Sequence, residues 1–286
     1  MRNFEFFEPT TIEEASSLLA QYNGKARFFA GGTDLLVAMK ERVETPEYLI
    51  SLEHIPGLEG ITHNESDGLS IGATTKMRSI EQSSIIRNHY TALAEGASEI
   101  GSIQVRNLAT IGGNICHASP AADTVAGLLV LEAQVKIASA DGVSTAPIED
   151  FFLGPGQSVL KVGEIVTGFT CPPRPENSGS QYIKQKIRQV MDLAFVGVAA
   201  AVQVDDGIVK DVKIGLAAVA PTPIRATDAE ALLRGKSLTE AILDQAASAA
   251  SAQSSPISDL RCSADYRREI VEVLTKRTVQ TAAARA

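Results

Sequence analysis

Two glycine-rich turns constrain this chain more than any other feature: Ala30-Gly31-Gly32-Thr33-Asp34-Leu35-Leu36 and Ala109-Thr110-Ile111-Gly112-Gly113-Asn114-Ile115. Residues without a Cβ let backbone N–H groups come close to an anion, and a helix that starts at the turn adds the positive end of its dipole. Each turn also carries a hydroxyl and a carboxyl or amide side chain at its mouth. Together they predict a ligand with two phosphates.

A single Gly-Gly pair more often marks a tight turn or a helix C-cap, so the flanking pattern matters. Ala26 to Ala30 reads as a short buried strand running into the first turn, and Leu35, Leu36 and Met39 continue beyond it with helical spacing. Thr33 and Asp34 stand where that helix begins, and either cap it or reach a ligand hydroxyl. In the second turn Thr110 and Asn114 bracket Ile111-Gly112-Gly113, which would leave consecutive N–H donors unshielded. The chain has neither GxxxxGK[ST] nor GxGxxG, which disfavours a P-loop or a Rossmann domain.

Around these turns the pattern is mixed helix and strand. Thr10-Thr11-Ile12-Glu13-Glu14 offers overlapping capping boxes for a helix that stops at Asn23-Gly24. Tyr48 to Leu52 and Gly68 to Gly72 read as strands, Thr74-Thr75 as a helix start, and Tyr90 to Ile100 as a helix. From Gly101 to Ala122 the chain is rich in small residues and shows no periodicity, a length without evident structure that is often functional. Asp123 either caps the apolar helix after it or serves a ligand hydroxyl, and Ser119 precedes it in Ser-Pro-Ala-Ala-Asp. His117 is either a loop base or a solvated side chain.

The cluster Pro172-Pro173-Arg174-Pro175, followed by Asn177-Ser178-Gly179, is the strongest boundary signal. We expect one unit over 1–174 and a second over 175–286. In the second, Gln181 to Lys186, Ala194 to Val204 and Val209 to Val219 read as antiparallel strands, with a hairpin turn at Asp205-Asp206-Gly207. Helices are expected at about 227–234, 238–252 and 263–283, with a frayed end at 281–286. Lys184, Lys186 and Arg188 alternate and would share one strand face, either as a solvated row or as cations facing the electron-rich end of a cofactor.

At 286 residues with 44% hydrophobic content, the chain can bury a substantial core without disulfides. Its three cysteines, Cys116, Cys171 and Cys262, have no CxxC or Cys/His spacing, so we read them as reduced thiols and expect no metal or cluster bound by this chain. A net charge of −8 argues against a nucleic-acid surface. No apolar run reaches the roughly 20 residues of a membrane span, and a cytoplasmic location is expected. No nucleophile-base set or carboxylate pair stands out, which leaves no candidate for hydrolytic chemistry.

Phe28-Phe29-Ala30-Gly31-Gly32-Thr33-Asp34-Leu35, Thr110-Ile111-Gly112-Gly113-Asn114-Ile115 and Ala118-Ser119-Pro120-Ala121-Ala122-Asp123 together resemble the FAD-binding medium subunit of the molybdenum hydroxylase family, which includes xanthine and carbon monoxide dehydrogenases. The resemblance covers the whole chain. It implies an α+β fold, with an N-terminal PCMH-type FAD-binding domain of two subdomains, about 1–56 and 57–174, and a C-terminal domain of antiparallel sheet and helices. It also implies that Phe29 to Asp34 wrap the pyrophosphate, that Gly113 and Asn114 complete the opposite wall, and that Phe28, Leu35, Ile111 and Ser119 belong to the same cofactor site. By the same resemblance Gly101, Thr110 and Asp123 serve the ribityl, ribose and phosphate portion. Val166 belongs to the flavin or adenine surroundings, Lys184 to the polar end of the cofactor, and Leu193 to one face of the isoalloxazine.

The implied role is an electron-transfer subunit with no catalytic residue of its own for the organic substrate. Partners would be a large subunit with the molybdenum cofactor and a small subunit with [2Fe-2S] clusters, in a dimer of heterotrimers that delivers electrons to an external acceptor. No cysteine-rich insert is present, which argues against the branch that reduces 4-hydroxybenzoyl-CoA. The alternatives are a free-standing FAD-dependent reductase, which would need a proton donor near flavin N5, and a nucleotide-binding assembly subunit without redox function.

Overall fold

Helix α1 (Ile12–Gln21) begins where the paired threonines predict. Thr11 Oγ1 accepts the Glu14 N–H at 3.1 Å, and the Glu14 carboxylate accepts the Thr10 N–H at 3.0 Å, so amides left over at the helix start are bonded by side chains. In the computed structural model, which describes residues 1–286, this helix joins β1 (Glu5–Phe7) to β2 (Ala26–Phe29), and α2 (Leu35–Glu41) joins β2 to β3 (Tyr48–Ser51). The strands pair in parallel in the order β1-β3-β2. Ala15, Ala26, Ile50 and Leu52 form their core, and Tyr22 stacks on Tyr48 with ring centroids 3.9 Å apart.

The next strands are β4 (Ile61–Asn64), β5 (Gly68–Gly72), β6 (Gln134–Ser139), β7 (Gly142–Pro147), the small hairpin β8 (Phe152–Gly154) and β9 (Gln157–Ser158), and β10 (Ile165–Cys171). Five of them make an antiparallel sheet in the order β4-β5-β10-β6-β7. Between β5 and β6 run six short helices: α3 (Met77–Gln82), α4 (Ser84–His89), α5 (Thr91–Ser98), α6 (Ile103–Arg106), α7 (Ile111–Cys116) and α8 (Asp123–Val130). Ile111, wholly buried one residue before Gly112, anchors the second turn in this core; burying such a side chain contributes roughly 1.5–3 kcal/mol. Ile165 packs with the core of the first sheet, while its neighbour Val166 belongs to the core of the second, as strand alternation requires.

The third sheet is antiparallel, in the order β11 (Ser178–Gln185), β12 (Val196–Asp205), β13 (Ile208–Ala217) and β14 (Ile224–Arg225). Asp206 and Gly207 both have positive φ, 47° and 78°, the backbone that a two-residue hairpin turn demands. Helices α9 (Thr227–Leu233), α10 (Glu240–Gln253) and α11 (Ala264–Ala284) follow. On the other side α5 and α8 meet the sheet through Ala92, Ala126, Ala199 and Ala217. A Cβ on Gly215 would lie 2.8 Å from the Ala126 carbonyl oxygen, so α8 runs close to the strand backbone. Strand β11 lies at a sheet edge, where unpaired backbone groups need partners. Glu95 accepts its Tyr182 N–H at 2.7 Å, and Arg285 donates to its Ser180 carbonyl at 2.7 Å.

Several expectations are corrected by tertiary contacts. Residues 101–122 are not structureless: they contain α6 and α7. Helix α3 starts at Met77 rather than at Thr74-Thr75, because Thr75 exchanges hydrogen bonds with Gly60 and residues 73–77 pair with 109–112. Strand β11 ends at Gln185, so Lys186 and Arg188 both lie beyond it, and of the three cations only Lys184 stands in the strand. The C-terminus is helical to Ala284, and Arg285 is tied to Ser180 and Glu95. The N-cap of α8 is Ala122; Asp123 is turned elsewhere. No helix is long and apolar enough to cross a membrane.

Candidate functional site

The first glycine turn leaves the edge strand β2 and is shaped by two different demands. Gly32 has φ +67°, and a Cβ there would stand 2.5 Å from the Phe29 ring, whose edge contact with Phe6 (centroids 5.7 Å) holds the strand end. A Cβ on Gly31 would stand 2.2 Å from the Leu108 carbonyl oxygen and 2.9 Å from Ala109 Cα. The first turn is therefore seated on the residues that lead into the second.

The N–H groups from Ala30 through Leu35 donate to no acceptor in the protein; helical bonding starts with Leu36 N–H to Gly32 O at 3.0 Å. Six consecutive amides in one turn, five of them on half-buried residues, form a concavity of the kind that takes an anion. Neither Thr33 nor Asp34 makes a capping hydrogen bond, so the capping expectation fails and both side chains stay available. The Asp34 side chain is exposed, with Oδ2 3.9 Å from His117 Nδ1 across the mouth between the two turns.

The second turn behaves differently from expectation. Thr110 caps α7 by accepting the Gly113 N–H at 3.1 Å, and its carbonyl accepts the Asn114 N–H at 3.0 Å. The Ile111 and Gly112 N–H groups donate to Thr75 and Ala73 carbonyls at 3.1 and 2.8 Å. Its donors are thus consumed internally, and the two glycine pairs do different work. Gly112 is a packing glycine, since a Cβ would meet the Ala73 carbonyl oxygen at 2.7 Å; Gly113 is exposed, with only Thr110 Oγ1 at 3.0 Å beside the position of a Cβ. Asn114 Oδ1 accepts the hydroxyl of fully buried Thr124 at 2.6 Å, leaving its amide N–H2 without a protein acceptor. Ser119 Oγ accepts the Ala121 N–H at 3.3 Å.

Asp123, Tyr182 and Lys184 form a buried set where α8 meets β11. Asp123 accepts from Tyr182 Oη at 2.8 Å and from Lys184 Nζ at 2.8 Å. Gly197 on the paired strand permits this, because a Cβ there would meet Tyr182 Oη at 2.7 Å. The Lys184 side chain is 1% exposed, and its three donors go to Asp123, the Glu99 carbonyl at 3.2 Å and the Asp192 carbonyl at 2.8 Å. It holds protein groups rather than reaching outward. Burial pushes the Asp123 carboxyl up to about 6 against the opposing pull of Lys184 and Tyr182, and burial also raises the Tyr182 phenol.

Through Asp192, Lys184 fixes the loop that carries Leu193. The Asp192 carboxylate accepts the Ile187 and Arg188 N–H groups at 2.7 and 2.8 Å, which, led by the Arg188 amide, hold its carboxyl below the usual range. The Met191 N–H donates to the Gly101 carbonyl at 3.0 Å, and Gly101 has φ +48°. Lys186 pairs with Glu99 and Arg188 with Asp192, so the alternating cations form no free row. Leu193 is left exposed beside Val190 and Met191.

The structure thus brings the two turns together and joins Gly101, Asp123, Lys184 and the Leu193 loop into a second group. The Val166 side chain is in neither; it is buried beneath the five-stranded sheet. Thr124 carries no local signal in the sequence, because its contact with Asn114 joins two separate helices. A separate cleft of about 410 Å³, lined by Arg87, His89, Arg174 and Arg285 among others, has no hydrophobic lining residue and is unsuited to a flat aromatic ring system. The unshared amides, the glycine cradle and the exposed surface at Gly113 fit a dinucleotide diphosphate.

The sequence matches the FAD binding domain in molybdopterin dehydrogenase over residues 2–174 and the CO dehydrogenase flavoprotein C-terminal domain over residues 181–282. It is 36% identical over 282 residues to the carbon monoxide dehydrogenase medium chain of Hydrogenophaga pseudoflava, covering 99% of this chain and 98% of that one. It is 33% identical over 282 residues to the xanthine dehydrogenase FAD-binding subunit of Escherichia coli O157:H7, covering 98% and 96%. The fold superposes on a chain of the H. pseudoflava carbon monoxide dehydrogenase structure with a TM-score of 0.96 at 37% identity, covering 100% of this chain and 99% of that one. This chain belongs to the FAD-binding medium subunits of the molybdenum hydroxylase family.

Proposed function

We propose that this chain is the electron-exit subunit of a multisubunit molybdenum hydroxylase. A large partner subunit would carry the molybdenum cofactor and the organic or gaseous substrate, and a small partner would carry [2Fe-2S] clusters on the input side. An external electron acceptor would dock on the output side, in a dimer of heterotrimers located in the cytoplasm. The run of six unshared amides from Ala30 to Leu35, seated against the second turn, is the observation that carries this reading.

In this reading the turn amides take the diphosphate, and the exposed surface at Gly113 with the Asn114 amide forms the facing wall. Buried Thr124 orients that amide. Lys184 and Asp192 position the Leu193 loop, which shields the reactive ring face and sets access for the acceptor. The chemistry, one-electron uptake and two-electron storage, is supplied by FAD when bound. Asp123, Tyr182 and Lys184 act as positioning residues.

The test is a division of labour. The purified full-length chain should bind FAD and exchange electrons with a small dye, yet leave N-heterocycles, aldehydes and carbon monoxide unchanged until partner subunits are added. Turnover of any of these by the chain alone would overturn the assignment.

A further inference from the structure

We infer that Lys76 supplies the cationic side of the diphosphate site, its ammonium group pairing with the anionic bridge held by the first glycine turn. This rests on the reading that FAD binds there.

Lys76 precedes α3 and forms an isolated antiparallel bridge with Thr110. The flanking bonds run from Met77 N–H to Ala109 O at 2.8 Å and from Ile111 N–H to Thr75 O at 3.1 Å, so Lys76 and Thr110 are a non-hydrogen-bonded pair. In such a pair the two side chains stand on the same face, with Cβ atoms roughly 4.5–5.5 Å apart. Thr110 directs its hydroxyl to the Gly113 amide, where the surface is open. Ala109, the residue before Thr110, is the wall against which Gly31 is seated. Lys76 therefore rises beside the junction of the two turns.

Its electrostatics are unusual for this molecule. Among lysines and arginines that are not exposed, Lys76 alone has neither a carboxylate within 4.0 Å nor a hydrogen-bond partner. Partly desolvating an ammonium group without a counter-charge is unfavourable. The six amides of the first turn likewise lack an acceptor in the protein. A dianionic diphosphate relieves both at once, whereas a neutral riboflavin relieves neither.

The test uses the full-length chain stripped of flavin, with dissociation constants for FAD and riboflavin measured by fluorescence at low and high salt. Lys76→Gln should bind FAD about tenfold more weakly, as expected for loss of one charge-assisted contact, with a flatter salt dependence and unchanged riboflavin affinity. Lys76→Arg should stay within about threefold of wild type. FAD affinity and salt slope equal to wild type in Lys76→Gln would overturn the proposal, as would equal losses for FAD and riboflavin. Failure of the wild-type chain to bind FAD would instead remove the underlying reading.

Discussion

Gly31 and Leu108 are packed so closely that no side chain fits between them: a Cβ on Gly31 would stand 2.2 Å from the Leu108 carbonyl oxygen. One glycine turn is thereby seated on the chain that leads into the other, and six amides remain directed at whatever lies at their mouth. The contact ties the parallel first sheet to the antiparallel second one at the point where a shared ligand would bind.

Gly31→Ala should therefore separate the turns. We expect a loss of about 1–3 kcal/mol of stability from overpacking, read as a lower denaturation midpoint, together with weaker FAD binding. Unchanged stability would mean that the two segments part freely.

Gly112 and Gly113 should respond differently although they are adjacent. A side chain at Gly112 meets the Ala73 backbone at 2.7 Å, while one at Gly113 meets only Thr110 Oγ1 at 3.0 Å. Gly112→Val should unfold the region in thermal melts, whereas Gly113→Val should fold and fail to hold flavin. Equal melting temperatures for the two variants would contradict the division between a packing and a site glycine.

How much of this was legible in the chain depends on distance along it. The strand into Gly31 and the helix after it could be read locally, because apolar spacing changes on either side of the glycines. The consumption of the second turn's donors could not, since Ala73 and Thr75 lie outside any local window and reveal themselves only through pairing. Asp123 and Lys184 were each singled out, but their 2.8 Å contact spans 61 positions, and proximity to a capping position made Asp123 look like a cap. Strand β10 carries only a weak signal in the sequence, because Gly168 interrupts its apolar run.

Lys184→Met should leave Asp123 buried without its counter-charge. The expected cost is about 3–5 kcal/mol, and the loop at 187–193, no longer held through the Asp192 carbonyl, should become sensitive to limited proteolysis. An Asp123→Asn change in the same chain should restore part of the stability. Retained protease resistance in Lys184→Met would show that Lys184 does not hold this loop.

Asp123 should also leave a signature in pH dependence. Its carboxyl is raised from 3.8 to about 6, chiefly by burial, so the folded chain binds this proton more tightly than the unfolded chain. The associated stability is fully present below the unfolded value and is lost as pH rises through the folded one. The stability of wild type relative to Asp123→Asn should therefore fall between these two pH values and level off above them. A rise over that interval would show that Lys184 outweighs burial.

Thr124→Val should release the Asn114 amide at nearly constant volume. FAD affinity should fall about fivefold to tenfold, the loss of one oriented hydrogen bond, while Thr124→Ser should recover it. Equal binding by Val and Ser variants would remove the orienting role.

The most direct measurement is calorimetric titration of FAD into the flavin-free full-length chain and its Gly113→Val variant, with melting curves for both. A diphosphate site between the two turns predicts one FAD per wild-type chain and no measurable binding to a variant that melts like wild type. A wild-type chain that takes up no FAD, or a variant that binds it equally well, would contradict it.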